Sequence, residues 1–191
     1  MSSEKEKKES SMIKTGFILM TIGGVCALIL SYVQDFTSPI IADNKSKKEI
    51  EAIKTIFPET EKIEKRNDSV TEVKDYNGNL LGWMIKVKSK GYGGDLLLLV
   101  GLDKDQKVAG IQILEMKETP GLGTKVNEVK KGEREPAFLS QFKSKDIRNG
   151  EFGKDNIDKI TGATISSKAV LEGVKKSYEI LSATVNMSEK N

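Results

Sequence analysis

Apolar residues are spaced differently in successive stretches of this chain, and each spacing implies a kind of element. Residues 15–34 carry no charge, and the run G-F-I-L-M-T-I-G-G-V-C-A-L-I-L-S-Y-V within them is almost wholly apolar. About 20 residues at a helical rise cross a bilayer core, so residues 12–34 are read as a transmembrane helix. Tyr32 and Phe36 stand where interfacial aromatics belong. Residues 1–11, M-S-S-E-K-E-K-K-E and on, read as a disordered polar tail. In residues 35–58, Ile50, Ile53, Ile56 and Phe57 recur at three- and four-residue spacing until Pro58. This predicts a stalk helix, with a solvated connector as the plain alternative.

Beyond residue 58 the period changes to two. Trp83, Ile85 and Val87 alternate with Met84, Lys86 and Lys88, which predicts a half-buried strand. D-Y-N-G at 75–78 is a turn signal between it and V-T-E-V-K. After S-K-G-Y-G-G-D comes L-L-L-L-V-G-L, a run suited to a central strand; D-K-D-Q-K turns the chain into V-A-G-I-Q-I-L-E-M. Strands joined by such short turns form an antiparallel meander. E-P-A-F-L-S-Q-F predicts a short helix with Pro136 in its first turn. Residues 165–185 predict a longer helix, with Ala169, Val170, Val174, Tyr178, Leu181 and Val185 along one stripe. The fold class is therefore α+β, one antiparallel sheet flanked by helices, with residues 59–187 as the folded domain.

Composition narrows the chemistry. The chain has 191 residues, a formal net charge of +3 and no histidine, and its lone cysteine is Cys26. The charges are mixed along the chain, so nucleic acid is not expected as a partner. Without histidine there is no Ser–His–Asp triad and no histidine metal ligand; a single cysteine excludes an intramolecular disulfide and a cysteine-held metal. No catalytic residue and no metal site are expected, and any redox work needs an organic cofactor.

A cleaved signal peptide is the alternative to the retained anchor, but its apolar stretch is shorter, about 7–15 residues. Lys5, Lys7, Lys8 and Lys14 precede the span, whereas Asp35 follows it more closely than Lys45, Lys47 and Lys48. The positive-inside rule then puts the N-terminus in the cytoplasm and the domain on the outer side of the plasma membrane. Gly16, Thr21, Gly23, Gly24 and Ser31 would let neighbouring helices approach closely; glycine is also simply frequent in such spans.

The stretch D-K-I-T-G-A-T-I-S-S precedes the last helix. Its small residues leave room beside free N–H groups at the positive end of a helix dipole, and its hydroxyls add donors, a good arrangement for a phosphate. It also reads as an ordinary hydroxyl cap. G-Y-G-G at 91–94 reads as a hairpin loop, and E-T-P-G-L-G at 118–123 as a rigid surface turn that can also offer backbone amides beside an apolar residue.

Taken in order, four features resemble the G component of the Rnf electron-transport complex: the N-terminal span, G-Y-G-G before an apolar strand, a strand ending in E-T-P-G-L-G, and D-x-x-T-G-A-T before the last helix. That complex is an ion-translocating ferredoxin:NAD⁺ oxidoreductase; the C component of the Na⁺-translocating NADH:quinone oxidoreductase is a close relative. The resemblance implies an electron carrier with a covalent FMN, joined through its phosphate to Thr164 by a flavin transferase that cuts FAD. It implies Asp158 as the acidic residue the transferase reads, with Thr161, Gly162 and Ala163 completing the attachment signature. The flavin ring would lie against Glu118, Thr119, Gly121, Leu122 and Gly123. Thr161 stands where the family often has serine, and Lys117 where it often has histidine. The implied partners are the other membrane and peripheral subunits of the complex. The alternatives are the C component of the quinone reductase, a stand-alone extracellular flavin carrier, and a membrane-anchored binding or scaffold module without redox work.

Overall fold

The computed structural model describes residues 2–146, 148 and 157–188. The chain divides into two units, Met1–Lys47 and Lys48–Asn191. Helix α1 runs Ser2–Ile56 without a break, so the stretches read as tail, span and stalk form one helix; Met1 lies outside the described residues. From Lys14 onward α1 is long and apolar enough to cross a membrane. Pro39 lies inside it, where its ring removes one ladder bond. In the turn just before it, the Ser38 hydroxyl donates to the Gln34 carbonyl at 2.7 Å and the Thr37 hydroxyl to that of Val33.

The second unit is built on a five-stranded antiparallel meander in the order β1-β2-β3-β4-β5. The strands are β1 (Lys62–Lys65), β2 (Val70–Lys74), β3 (Leu80–Lys90), β4 (Asp95–Asp103) and β5 (Val108–Glu115). β1, which the two-residue period did not reveal, is a short polar edge strand paired to β2. The D-Y-N-G turn closes by Gly78 N–H to the Asp75 carbonyl, 3.1 Å, with Gly78 at φ +82°.

The sheet is covered on both sides. On one face Val70, Ile85, Val87, Leu96, Leu98 and Val100 pack with α3 (Thr164–Ser188) through Ala169, Val170, Val174 and Leu181. The short helix α2 (Ala137–Ser140) adds Phe138 and Leu139 to this core, and Phe142 follows. On the other face Val73, Met84 and Leu99 pack with Ala52 and Ile53 from the last turns of α1, flanked by Ile56 and Phe57. That second cover explains why L-L-L-L-V has no polar alternation: an interior strand buried on both faces reads as a continuous apolar run. Ile50, expected on the stalk's packed stripe, is instead 47% exposed. Glycines set how closely this cover sits. A Cβ on Gly82 would lie 2.2 Å from the Leu102 carbonyl oxygen and 2.8 Å from the Phe57 ring, and one on Gly101 would lie 2.6 Å from Ile56 Cγ2.

Candidate functional site

Two loops of the same local design meet at the start of α3. In the first, Ala163 N–H donates to the Ile160 carbonyl at 2.9 Å, and Gly162 takes φ +80°. In the second, Leu122 N–H donates to the Thr119 carbonyl at 3.2 Å, with Pro120 next and Gly121 at φ +75°. Each is a four-residue turn whose third position has positive φ, which glycine adopts without a Cβ clash. A Cβ on Gly162 would come within 3.7 Å of Leu122 Cδ2, so the two turns face one another.

The first turn feeds directly into the helix. Ser167 N–H donates to the Ala163 carbonyl at 2.8 Å, while the Ser167 hydroxyl oxygen accepts from Ile160 N–H at 3.2 Å. Ser167 thus ties the loop from inside. The N–H groups of Thr164, Ile165 and Ser166 precede that first ladder bond, at the positive end of the dipole. Thr164 is exposed, while Ser166 and Ser167 are buried at 1% each. Upstream, Asp158 is held by its backbone: its N–H donates to Gln141 Oε1 at 2.8 Å and its carbonyl accepts from Gln141 Nε2 at 3.3 Å. Its side chain is exposed.

A third loop joins from the sheet. Glu118, 8% exposed, accepts the N–H of Tyr92 on Oε1 at 2.9 Å and that of Gly93 on Oε2 at 3.4 Å. A Cβ on Gly123 would fall 2.3 Å from Glu118 Oε2 and 2.7 Å from Ser166 Oγ. Gly123 is therefore where the second turn packs against both the carboxylate and the helix start.

Between these loops lies a cavity of about 320 Å³ lined by Tyr92, Glu118, Thr119, Leu122, Gly123, Gly162, Ala163, Thr164, Ile165 and Ser166. Its size suits a small ligand. It brings together most of the residues expected from sequence; Gly121, Thr161 and Asp158 are not among those lining it. Gly121 shapes the turn, Thr161 is an exposed residue of the other turn, and Asp158 lies upstream of it. Tyr92 and Ile165 were not expected there. Only their residue types, an aromatic among glycines and an apolar residue in a first helical turn, mark them in the sequence, and no spacing ties either to the loops across the cavity. The lysines near the loops, Lys117, Lys125 and Lys159, do not line the cavity; the helix N–H groups at its wall supply positive potential there. Among the described residues no cluster of acidic or cysteine side chains could hold a metal ion.

The donor set fits FMN: unpaired N–H groups at a helix start for the phosphate, and Leu122, Ile165 and Tyr92 as flat apolar surface for a ring. Known proteins point the same way. Residues 91–179 match the family model of the FMN-binding domain, and residues 1–56 match that of the RnfG N-terminal region, which ends with α1. The family matches, with a site that fits them, define the class as a flavin-binding component of an electron-transfer complex. The chain belongs to the RnfG family, the G components of the ion-translocating oxidoreductase (Rnf) complexes. It is 31% identical, over 92% of its length and 94% of the relative's, to the G component of the proton-translocating ferredoxin:NAD(+) oxidoreductase complex of Clostridium ljungdahlii. It is 28% identical, over 88% of its length and 91% of the relative's, to the G component of the Na(+)-translocating ferredoxin:NAD(+) oxidoreductase complex of Acetobacterium woodii. The crystal structure of Shewanella oneidensis NqrC aligns over 62% of this chain and 63% of that one, at 24% identity and a TM-score of 0.46, a likeness too loose to argue from.

Proposed function

We propose that this protein carries electrons through an FMN esterified to Thr164, as a membrane-anchored part of a ferredoxin:NAD⁺ oxidoreductase that moves ions across the membrane. The observation that supports it most is the position of Thr164: an exposed hydroxyl at the first residue of α3, on the wall of the cavity and beside the free N–H groups. Thr161 is exposed too but does not line the cavity, and Ser166 lines it but is buried.

Attachment balances as a phosphoryl transfer. The Thr164 oxygen forms a bond to the flavin-side phosphorus of FAD, the pyrophosphate bond breaks, AMP leaves, and the hydroxyl proton passes to solvent. Asp158, on a loop pinned by Gln141, is the acidic mark available to the transferase. When bound, the flavin supplies the redox chemistry. The chain's residues bind and shield it. The N–H groups of the first turn hold the phosphate. Glycine at 162 and 123 keeps the backbone close. Leu122 and Ile165 exclude water from one side of the cavity. No side chain here has to move a proton, in keeping with a chain that has no histidine.

Helix α1 is the anchor in this reading, with the lysines before residue 15 on the cytoplasmic side and the flavin domain outside. An alkaline phosphatase fused to the C-terminus is then active in intact cells; an inactive fusion at equal expression reverses the orientation. For the flavin, the full chain is co-expressed with its transferase and run on a denaturing gel under ultraviolet light. Thr164→Ser keeps a fluorescent band and Thr164→Val loses it. A fluorescent Thr164→Val band contradicts the attachment.

A further inference from the structure

Asp158 is held by a side chain 17 positions away. Gln141 uses both ends of its amide there: Oε1 accepts the Asp158 N–H at 2.8 Å, and Nε2 donates to the Asp158 carbonyl at 3.3 Å. Both sides of this contact are rooted in the core. Gln141 stands between Leu139 and Phe142, which are buried, and the Phe142 N–H donates to the Leu139 carbonyl across it at 3.2 Å. Ile157, next to Asp158, is buried in the same cluster. Further on, the chain is tied again at Ile160, whose N–H meets the Ser167 hydroxyl and whose carbonyl meets the Ala163 N–H. The acid and the hydroxyl of the attachment signature thus stand on one framework. Among the described residues, neither the Asp158 carboxylate nor the Thr164 hydroxyl has a bonding partner.

The two bonds from Gln141 are solvent-exposed. Exposed hydrogen bonds replace bonds to water and add little to folding. What two bonds from one planar amide do fix is direction: they set the backbone of Asp158 and so the place from which its exposed carboxylate projects. We propose that Gln141 is a positioning residue for flavin attachment. It holds the Asp158 carboxylate at a set place relative to the Thr164 hydroxyl. The transferase then meets a preformed surface and acts on the chain after the domain has folded, because only folding brings Gln141 to Asp158. The proposal rests on the attachment reading and adds to it a residue outside both the D-x-x-T-G-A-T stretch and the cavity lining.

Transfer kinetics read this role. The full chain, made without the transferase, is purified in detergent and given FAD and the purified transferase. The FMN increment is followed by intact mass at rising chain concentration. Gln141→Met keeps the length of the side chain and removes its amide. It raises the KM for the chain severalfold and leaves kcat little changed, as loss of binding alone does. Gln141→Glu keeps the acceptor for the Asp158 N–H but sets a carboxylate against the Asp158 carbonyl, and it raises the KM as well. Asp158→Asn lowers kcat/KM, and Gln141→Met adds nothing to that loss, since residues acting as a unit are non-additive. The urea midpoints of both Gln141 variants stay at the native value, which separates a misdirected acid from a damaged fold. A native KM in both Gln141 variants overturns the proposal. So does a full Gln141→Met effect in the Asp158→Asn chain, or a KM that rises only in step with a falling urea midpoint. A native chain that gains no FMN increment defeats the attachment itself, whereas one that gains it with the same KM as Gln141→Met defeats only the role of Gln141.

Discussion

The two faces of the sheet are both covered by helix, yet glycine does different work on each. On the face under α1, Gly82 and Gly101 let Ile56 and Phe57 sit directly on the strands; added side-chain atoms would run into carbonyl oxygen and ring carbon. The crevice near Thr55 and Gly110 on that side holds only about 10 Å³. At the edge of the α3 face, Gly162 and Gly121 have almost open space around their missing Cβ and are needed for their positive φ. There the turns stand back and leave a cavity of about 320 Å³. Tight glycines occur on the α3 side as well, at Gly123 and Gly173, so what is particular to the cavity is the pair of turn glycines that stand back from it.

Substitutions sharpen that division. The largest stability loss is expected from Phe142→Ala, since Phe142 is fully buried and meets Phe138 edge-on at a 5.6 Å centroid distance; large-to-small changes of this kind cost about 3–5 kcal/mol, read as a lower urea midpoint. Gly82→Ala follows at about 1–3 kcal/mol of overpacking, again in the denaturation midpoint, with FMN loading of the surviving folded chain unchanged. Gly162→Ala costs less, about 1–2 kcal/mol for a left-handed residue with a Cβ, but cuts flavin loading by intact mass severalfold. Equal loading in Gly162→Ala and Gly82→Ala would erase the distinction between the two faces.

The smallest effect lies far from the cavity, on the polar edge. Lys62 and Lys74 both bond the Glu64 carboxylate and hold its pKa down, from 4.5 to about 2. A carboxyl with a lowered folded pKa contributes stability that is present above about pH 4.5 and lost as pH falls through about 2. Glu64→Gln therefore flattens the acid side of the stability profile within that window and leaves neutral-pH flavin loading alone. An unchanged acid profile in Glu64→Gln would strip these ion pairs of any part in acid stability.

Much of this was legible before the structure. The meander, the Asp75–Gly78 turn and the α3 stripe follow from period and turn chemistry, because each is decided by neighbours within a few residues. β1 was not legible: K-I-E-K is too short and polar to alternate, and its pairing to β2 is a tertiary fact. Nor was the exposure of Ile50 visible, since α1 packs only its last turns on the sheet. At the site, the hydroxyl-rich helix start and the E-T-P-G-L-G turn stood out by type and spacing. Tyr92 did not, because the clamp between residues 91–94 and 117–118 spans more than twenty positions of chain and leaves no local pattern. Asp158 and Gly121 were legible as motif members, but only the folded chain shows that they lie outside the cavity lining.

The most direct test of the central claim is peptide mass mapping of the chain purified from its native membrane assembly. Trypsin releases residues 160–168, I-T-G-A-T-I-S-S-K. This peptide is predicted to be heavier by one esterified FMN, with fragmentation placing the addition on Thr164. The unmodified peptide from an active assembly, or the addition on Thr161 or Ser166, contradicts the claim.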